Sequence, residues 1–271
     1  MRRVLAAAFL LTACSSFGED VPSPGTTPPT EGGAPTDASV PDSGSPDSGP
    51  PDCVALAKEP SVAFCSTFDE PGSDASPFGW TELLRPDEST TAVEIAPNAG
   101  PTGTNALRFR RSIDGVLGTR LLMLRRGGFR PPGTYARLAL DFDVRIESMA
   151  YEYALLGTFL LYGPSNAFAV HGVSVYGAGA FLDADTPPQK VNVPAAAAWH
   201  HVSIVLARVA GLVHAYERTV TIDSTVVDAQ VVDFRPFDGV DVRIGMSGTA
   251  PSERAGSVLY DNIVVRRADA P

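Results

Sequence analysis

An all-β fold, an antiparallel two-sheet sandwich or barrel, is predicted by three features of the sequence. A two-residue hydrophobic period dominates residues 53–271, turn residues punctuate it at short intervals, and no amphipathic helix of more than two turns occurs beyond the first residues. The clearest run places Leu138, Leu140, Phe142, Val144 and Ile146 on one face and Ala139, Asp141, Asp143, Arg145 and Glu147 on the other, the pattern of a half-buried strand. Similar strands are expected over residues 106–110, 155–162, 168–176, 200–206, 213–222, 240–244 and 258–265. Between them stand turn signals: Pro97-Asn98-Ala99-Gly100, Gly127-Gly128, Pro131-Pro132-Gly133, Gly163-Pro164, Pro187-Pro188 and Asp238-Gly239.

The chain starts differently. Arg2 and Arg3 precede an apolar stretch at residues 4–11, followed by Leu11-Thr12-Ala13-Cys14. The apolar stretch is about half of the roughly 20 residues that a membrane-spanning helix needs. The tetrapeptide resembles the bacterial lipobox, which implies that residues 1–14 are a lipoprotein signal peptide and that the mature chain begins at a lipidated Cys14. The alternative is an ordinary secretory signal with an incidental cysteine. Ser15, rather than Asp, follows the cysteine, and within that resemblance this implies the outer membrane, with its face left open. The membrane is then a partner through the N-terminal lipid.

Residues 15–52 are rich in Pro, Ser, Thr, Gly and Asp and half-repeat Pro-Asp-Ser-Gly at Pro41 and Pro46. With almost no large apolar side chain, this stretch is expected to be a disordered linker. A flexible coil of this length spans roughly 30–35 Å. It also holds much of the charge. The net charge is −10, yet Arg2 and Arg3 contribute +2 and the linker alone carries seven acids (Glu19, Asp20, Glu31, Asp37, Asp42, Asp47 and Asp52) against no base, leaving −5 for residues 53–271. That balance argues against a nucleic-acid partner, which would select a basic face.

Three cysteines in an exported chain leave one odd. Lipidation of Cys14 would account for it, and Cys53 and Cys65 would then be free to close a short disulfide loop in an oxidising compartment. Two separate thiols are the alternative.

Several landmarks recur in a familiar order: Phe64-Cys-Ser-Thr-Phe-Asp69, Gly79-Trp80, Ala106-Leu-Arg-Phe109, Trp199-His-His-Val202, Val220-Thr-Ile-Asp223 and Leu259-Tyr-Asp-Asn-Ile-Val264. Over residues 62–267 they resemble the concanavalin A-like lectin/glucanase superfamily and its laminin-G-like modules. The resemblance implies a jelly-roll sandwich over residues 53–271. It also implies a possible structural calcium between the start of the domain and its last strand, with Asp69, Asp261 and Asn262 at the matching positions, and structural roles for Trp80 and Trp199. The alternative for Asp69 and Asp261 is that they cap strands or bond turn amides.

An enzymatic reading finds little support in the residues. Glucanases of the superfamily place Glu-x-Asp-x-Glu or Glu-x-Asp-x-x-Glu on one strand, so that acids share a face. Here the nearest run is Asp141-x-Asp143-x-Arg145-x-Glu147, with Arg where an acid should stand. The Arg, Gln and Tyr strand motifs of alginate-lyase relatives are absent, as is Gly-x-Ser-x-Gly. His200 and His201 are consecutive and so point to opposite faces of a strand.

The expectation is therefore a non-catalytic binding module for a glycan or cell-surface polymer, displayed at the outer membrane. Tyr162, His171 and Tyr176 are its candidate ligand contacts, because aromatic faces stack on sugar rings. A structural or protein-interaction lipoprotein without a small ligand is the second reading, and a polysaccharide-cleaving enzyme with an unrecognised site the third.

Overall fold

The computed structural model describes residues 51–69, 80–84, 91–111, 118–130, 132–148, 153–163, 168–176, 180–183, 190–191, 198–212, 214–233, 237–250 and 255–270, all of them within the unit Ser43–Pro271. The expected signal peptide, Cys14 and nearly all of the expected linker lie outside the described residues.

One short helix, α1 (Cys53–Leu56), opens the described chain. Asp52 caps it, its Oδ1 accepting from the amides of Val54 and Ala55 at 3.0 Å each. Fifteen strands follow. They are β1 (Val62–Ser66), β2 (Glu82–Leu84), β3 (Thr91–Ala96), β4 (Ala106–Arg111), β5 (Gly118–Phe129), β6 (Tyr135–Ser148), β7 (Tyr153–Tyr162), β8 (Phe168–Tyr176), β9 (Ala180–Asp183), β10 (Lys190–Val191), β11 (Trp199–Arg208), β12 (Ala215–Ile222), β13 (Thr225–Asp233), β14 (Gly239–Ala250) and β15 (Gly256–Asp269).

They form two antiparallel sheets. The eight-stranded sheet runs β13-β12-β11-β6-β15-β4-β3, with β1 beside the second half of β15; the seven-stranded sheet runs β10-β9-β8-β7-β14-β5-β2. The two-layer, all-β prediction is thereby established. Apolar residues from both sheets meet in one core, including Phe109, Leu140, Phe142 and Ile204 from the first and Leu124, Phe159, Val242 and Ile244 from the second. Tyr260 ties the layers together: its fully buried hydroxyl lies 2.7 Å from the Gly245 carbonyl and 3.0 Å from that of Leu156. Phe142 packs so closely on Gly157 that a Cβ there would collide with its ring.

Cys53 and Cys65 are disulfide-bonded, fastening α1 to β1. Strand β8 matches its expected bounds, and β6, β11, β14 and β15 extend theirs by a few residues. Three substantial strands fall outside the expected set: β3, β5 and β13. In β5, the pair Gly127-Gly128 is part of the strand rather than a turn. It sits at an irregularity against β14, between the pairings of Arg126 with Val242 and Phe129 with Val240, and Gly128 has φ +88°. Among the described residues no helix is long and apolar enough to cross a membrane.

Candidate functional site

Alternation fixes which side chains of the seven-stranded sheet leave the core. Phe159 and Leu161 of β7 and Val240, Val242 and Ile244 of β14 point inward. Thr158, Leu160 and Tyr162, and Asp241 and Arg243, therefore occupy the outer face. Register adds Gly172 and Ser174 from β8 and Arg125 from β5, and Gly127 of β5 lies against Asp241.

At the centre of this face the Asp241 carboxylate, 2% exposed, accepts from Arg125 Nε at 2.7 Å and Nη2 at 3.4 Å, and from Arg243 Nη2 at 3.5 Å. Two guanidiniums thus converge on one carboxylate. Thr158 Oγ1 donates to the carbonyls of its own strand and β8, 3.0 Å from both Phe159 O and His171 O. Toward the edge of the face Tyr162, 38% exposed, lies over Gly239, where any Cβ would overlap its ring.

The three candidate ligand contacts separate in the structure. Tyr162 is on the outer face. Tyr176 ends β8 opposite Tyr153 at the far end of β7, which sets its backbone about 25–30 Å from that of Tyr162 along the strands; its side chain lies outside the described residues. His171 is corrected: it pairs with Phe159 and points into the core, 5% exposed. There its Nδ1 lies 3.4 Å from Nη1 of Arg218, a wholly buried residue of β12 whose Nε and Nη2 donate to Asp228 Oδ2 at 2.9 and 2.7 Å. The interior of the sandwich thus holds a cross-sheet His-Arg-Asp group, and His171 cannot share a ligand with Tyr162.

The outer face of the eight-stranded sheet is a polar ladder. Asp141 accepts from Ser203 Oγ and Arg266 Nη1, both at 2.6 Å; Asp143 binds His201 Nδ1 at 2.8 Å and Asn262 Nδ2 at 2.6 Å. Glu147 accepts from Ser257 Oγ at 2.6 Å and from Arg108 Nε at 3.1 Å. Burial pushes the Glu147 carboxyl upward, but the bonds from Ser257 and Arg108 outweigh it and hold it below its usual range. His201 is raised, first by its bond to Asp143, against burial and with the charges of Asp143, Asp141 and Asp223 adding to it. His200 turns the other way onto Asp223 at 2.6 Å, as consecutive strand residues must. Trp80 is buried, edge-on to Phe64 at 5.0 Å, whereas Trp199 is half-buried beneath Arg145 at 5.3 Å.

At a break in this ladder the positions expected for calcium come together. β15 switches partners from β4 to β1 across Asp261 and Asn262, and Asn262 takes φ +51°. Asp261, fully buried, accepts from Thr104 Oγ1 at 2.7 Å and from the Asn262 amide at 2.8 Å, while Asp69 accepts from the Asn105 amide at 2.8 Å. Consecutive loop residues thus tie the two acids to one loop. Asp261 also stands opposite Asp143 across the strands. Burial pushes its carboxyl up to about 7, offset in part by Thr104 and Asn262 and reinforced by the charges of Asp143 and Asp69. Asn262 Oδ1 is buried without a hydrogen-bond partner. These oxygens fit a hard cation in kind, though among the described residues no three His, Cys, Asp or Glu side chains form a metal-holding group.

No family model matches the sequence, and no curated protein matches it. Solved structures do. An endo-β-1,4-glucuronan lyase from the fungus Trichoderma reesei aligns with TM-score 0.54 and 13% identity over 76% of this chain and 95% of its own. The alginate lyase Aly36B, in a mutant complex with alginate tetrasaccharide, aligns with TM-score 0.54 and 14% identity over 77% and 98%. A carbohydrate esterase of the Shiga toxin-encoding bacteriophage phi24B gives 0.52 and 15% over 77% and 99%. At such identities the likeness concerns architecture: the chain is an all-β, two-sheet antiparallel sandwich with the jelly-roll fold seen in these polysaccharide lyases.

Proposed function

We propose that this protein is a non-catalytic module that binds a glycan or cell-surface polymer on the outer face of its seven-stranded sheet, held at the outer membrane by a lipid on Cys14. The observation that carries the reading is Tyr162, a half-exposed aromatic ring seated on Gly239 on the same face as the Arg125-Asp241-Arg243 cluster. A stacking platform beside fixed polar groups is the chemistry of sugar recognition. The two guanidiniums on this face favour an acidic polymer over a neutral one. The non-catalytic reading is supported by the Asp241 carboxylate being locked between two guanidiniums.

Asp69, Asp261 and Asn262 would hold a calcium ion, which would neutralise the acids that β6 and β15 bring together. Adding calcium to the chelator-treated chain is then expected to raise its melting temperature, and Asp261→Asn to abolish the rise.

The test of the main reading is a screen of the full chain against neutral and acidic polysaccharides, with calcium and again with chelator. Binding to an acidic class that weakens at least tenfold in Tyr162→Ala supports it. No binding to any polymer, or binding indifferent to Tyr162, overturns it and favours an envelope protein without a carbohydrate ligand.

A further inference from the structure

Strand β13 ends the eight-stranded sheet and pairs only with β12 among the described strands. Its exposure is unusual for an edge: Val226 is 60% and Val231 65% exposed. The other described edges are blunt. β10 has two residues, β2 three, β1 five, and β3 six with Glu94 facing outward, whereas β13 offers nine. Long edges carrying apolar side chains are templates for further strand pairing, and proteins usually guard them with lysine, proline or brevity. β13 has no lysine and no proline.

What the edge would pair with is written in its sequence. Val226-Val227-Asp228-Ala229-Gln230-Val231-Val232 is nearly palindromic about Ala229: valine mirrors valine at both outer pairs, and Asp228 mirrors Gln230. Antiparallel pairing of a strand with its own copy brings each residue opposite its mirror position, so a near-palindrome is complementary to itself; a bulge at Val227, which turns onto the core while Val226 and Val231 stay exposed, sets Val231 against Val226 on the outer face. The single acid near the centre raises no repulsion between copies. Asp228 is 4% exposed, turned inward, and neutralised by Arg218. The side chains left on the outer face near the axis, Val226, Ala229 and Val231, are uncharged.

We propose that two copies of this chain associate through their β13 edges, antiparallel and isologous about a two-fold axis at Ala229. The contact sets Val231 of each copy against the Val226-Val227 segment of the other and joins the two eight-stranded sheets into one. It is independent of the binding reading. Pairing of two strands about 30 Å long, without a second layer of contacts, falls below the roughly 1,200–2,000 Å² of a stable interface, so the dimer is a reversible, concentration-dependent one.

The axis gives a direct test. Ala229 of the two copies would face each other with Cα atoms about 4.5–5.5 Å apart, within disulfide range. Oxidised Ala229→Cys is therefore expected to run as a covalent dimer on non-reducing gels, while the parent and Glu217→Cys, exposed on the neighbouring strand, do not. Sedimentation of the full chain should show a monomer-dimer equilibrium whose dissociation constant rises at least tenfold in Val231→Lys. Far-ultraviolet circular dichroism and thermal unfolding of that variant, altered at an exposed site, check that it remains folded. A parent that sediments as a monomer at every concentration overturns the proposal. So does a dimer insensitive to Val231→Lys, or failure of Ala229→Cys to cross-link.

Discussion

On the outer face of the eight-stranded sheet, the acids of β6 are consumed by their neighbours: Asp141 by Ser203 and Arg266, Asp143 by His201 and Asn262, Glu147 by Arg108 and Ser257. Among the described side chains on the outer face of the seven-stranded sheet, Asp241 gathers two arginines, small residues surround it, and an aromatic ring stands half in solvent. Both faces arise from the same alternation of apolar and polar residues. Their difference teaches that polar content does not mark a recognition surface. A ladder that satisfies its own donors and acceptors has little left for a ligand, whereas a face with an open aromatic beside two guanidiniums has both a stacking surface and polar groups to offer.

The largest expected effect joins the two sheets. Asp228→Ala would leave Arg218 buried without its carboxylate, and breaking such a pair from one side costs about 3–5 kcal/mol. Urea unfolding should show that loss, and a midpoint close to the parent's would mean that the guanidinium finds water. Next come the faces themselves. Asp141→Ala removes the acceptor shared by Ser203 and Arg266 and should cost about 1–3 kcal/mol of stability with polymer binding unchanged. Tyr162→Ala should do the reverse. If Asp141→Ala weakened binding as strongly as Tyr162→Ala, the contrast between the faces would fail.

A subtler difference concerns pH. His201 and Asp261, both on the eight-stranded side, have folded-state values raised above their unfolded ones, so the folded protein holds the extra protons. The His201 contribution is complete below its ordinary value near 6.5 and is lost as pH rises through the raised one. For Asp261 the folded state loses relative stability as pH climbs from about 4 to about 7. Glu147 has the opposite sign: its contribution is present above its ordinary value of 4.5 and lost as pH falls through the lowered one. Melting temperature in chelator should therefore decline from mildly acidic to mildly alkaline pH, and the decline should be shallower in Asp261→Asn. An equal slope in that variant would remove Asp261 as its source. The smallest effect sits at the β12-β13 turn, where Asp223 and Ser224 both have positive φ, +48° and +66°. A two-residue hairpin of this kind favours glycine, and Ser224→Gly should stabilise by about 0.5–1 kcal/mol in thermal melts.

Much of the fold was legible because long antiparallel strands with one face buried must alternate, as β6 and β8 do. β5 was obscured by its paired arginines and by Gly127-Gly128, which resemble a turn but accommodate an irregularity whose partner strand lies more than a hundred residues away. β13 was obscured because an exposed edge has little apolar alternation to display. The inward turn of His171 was available in principle: five residues separate it from Tyr176, and an odd separation on a regular strand means opposite faces. Arg218 carried the same signal, sharing even positions with Tyr216, Val220 and Ile222. The convergence of Arg125 on Asp241 carried none, because it depends on pairing between β5 and β14, across 116 residues of chain.

The disulfide has a mechanical consequence. Cys53 stands at the start of α1, and Cys65 lies in β1 opposite Val264 of β15. Tension applied to the chain ahead of Cys53 would bypass the helix, cross the sulfur bridge, and load β1 against the strand that also binds β6 and β4. The short helix would be shielded, and a pull that would otherwise peel residues away one by one would instead be spread over a strand paired with three others.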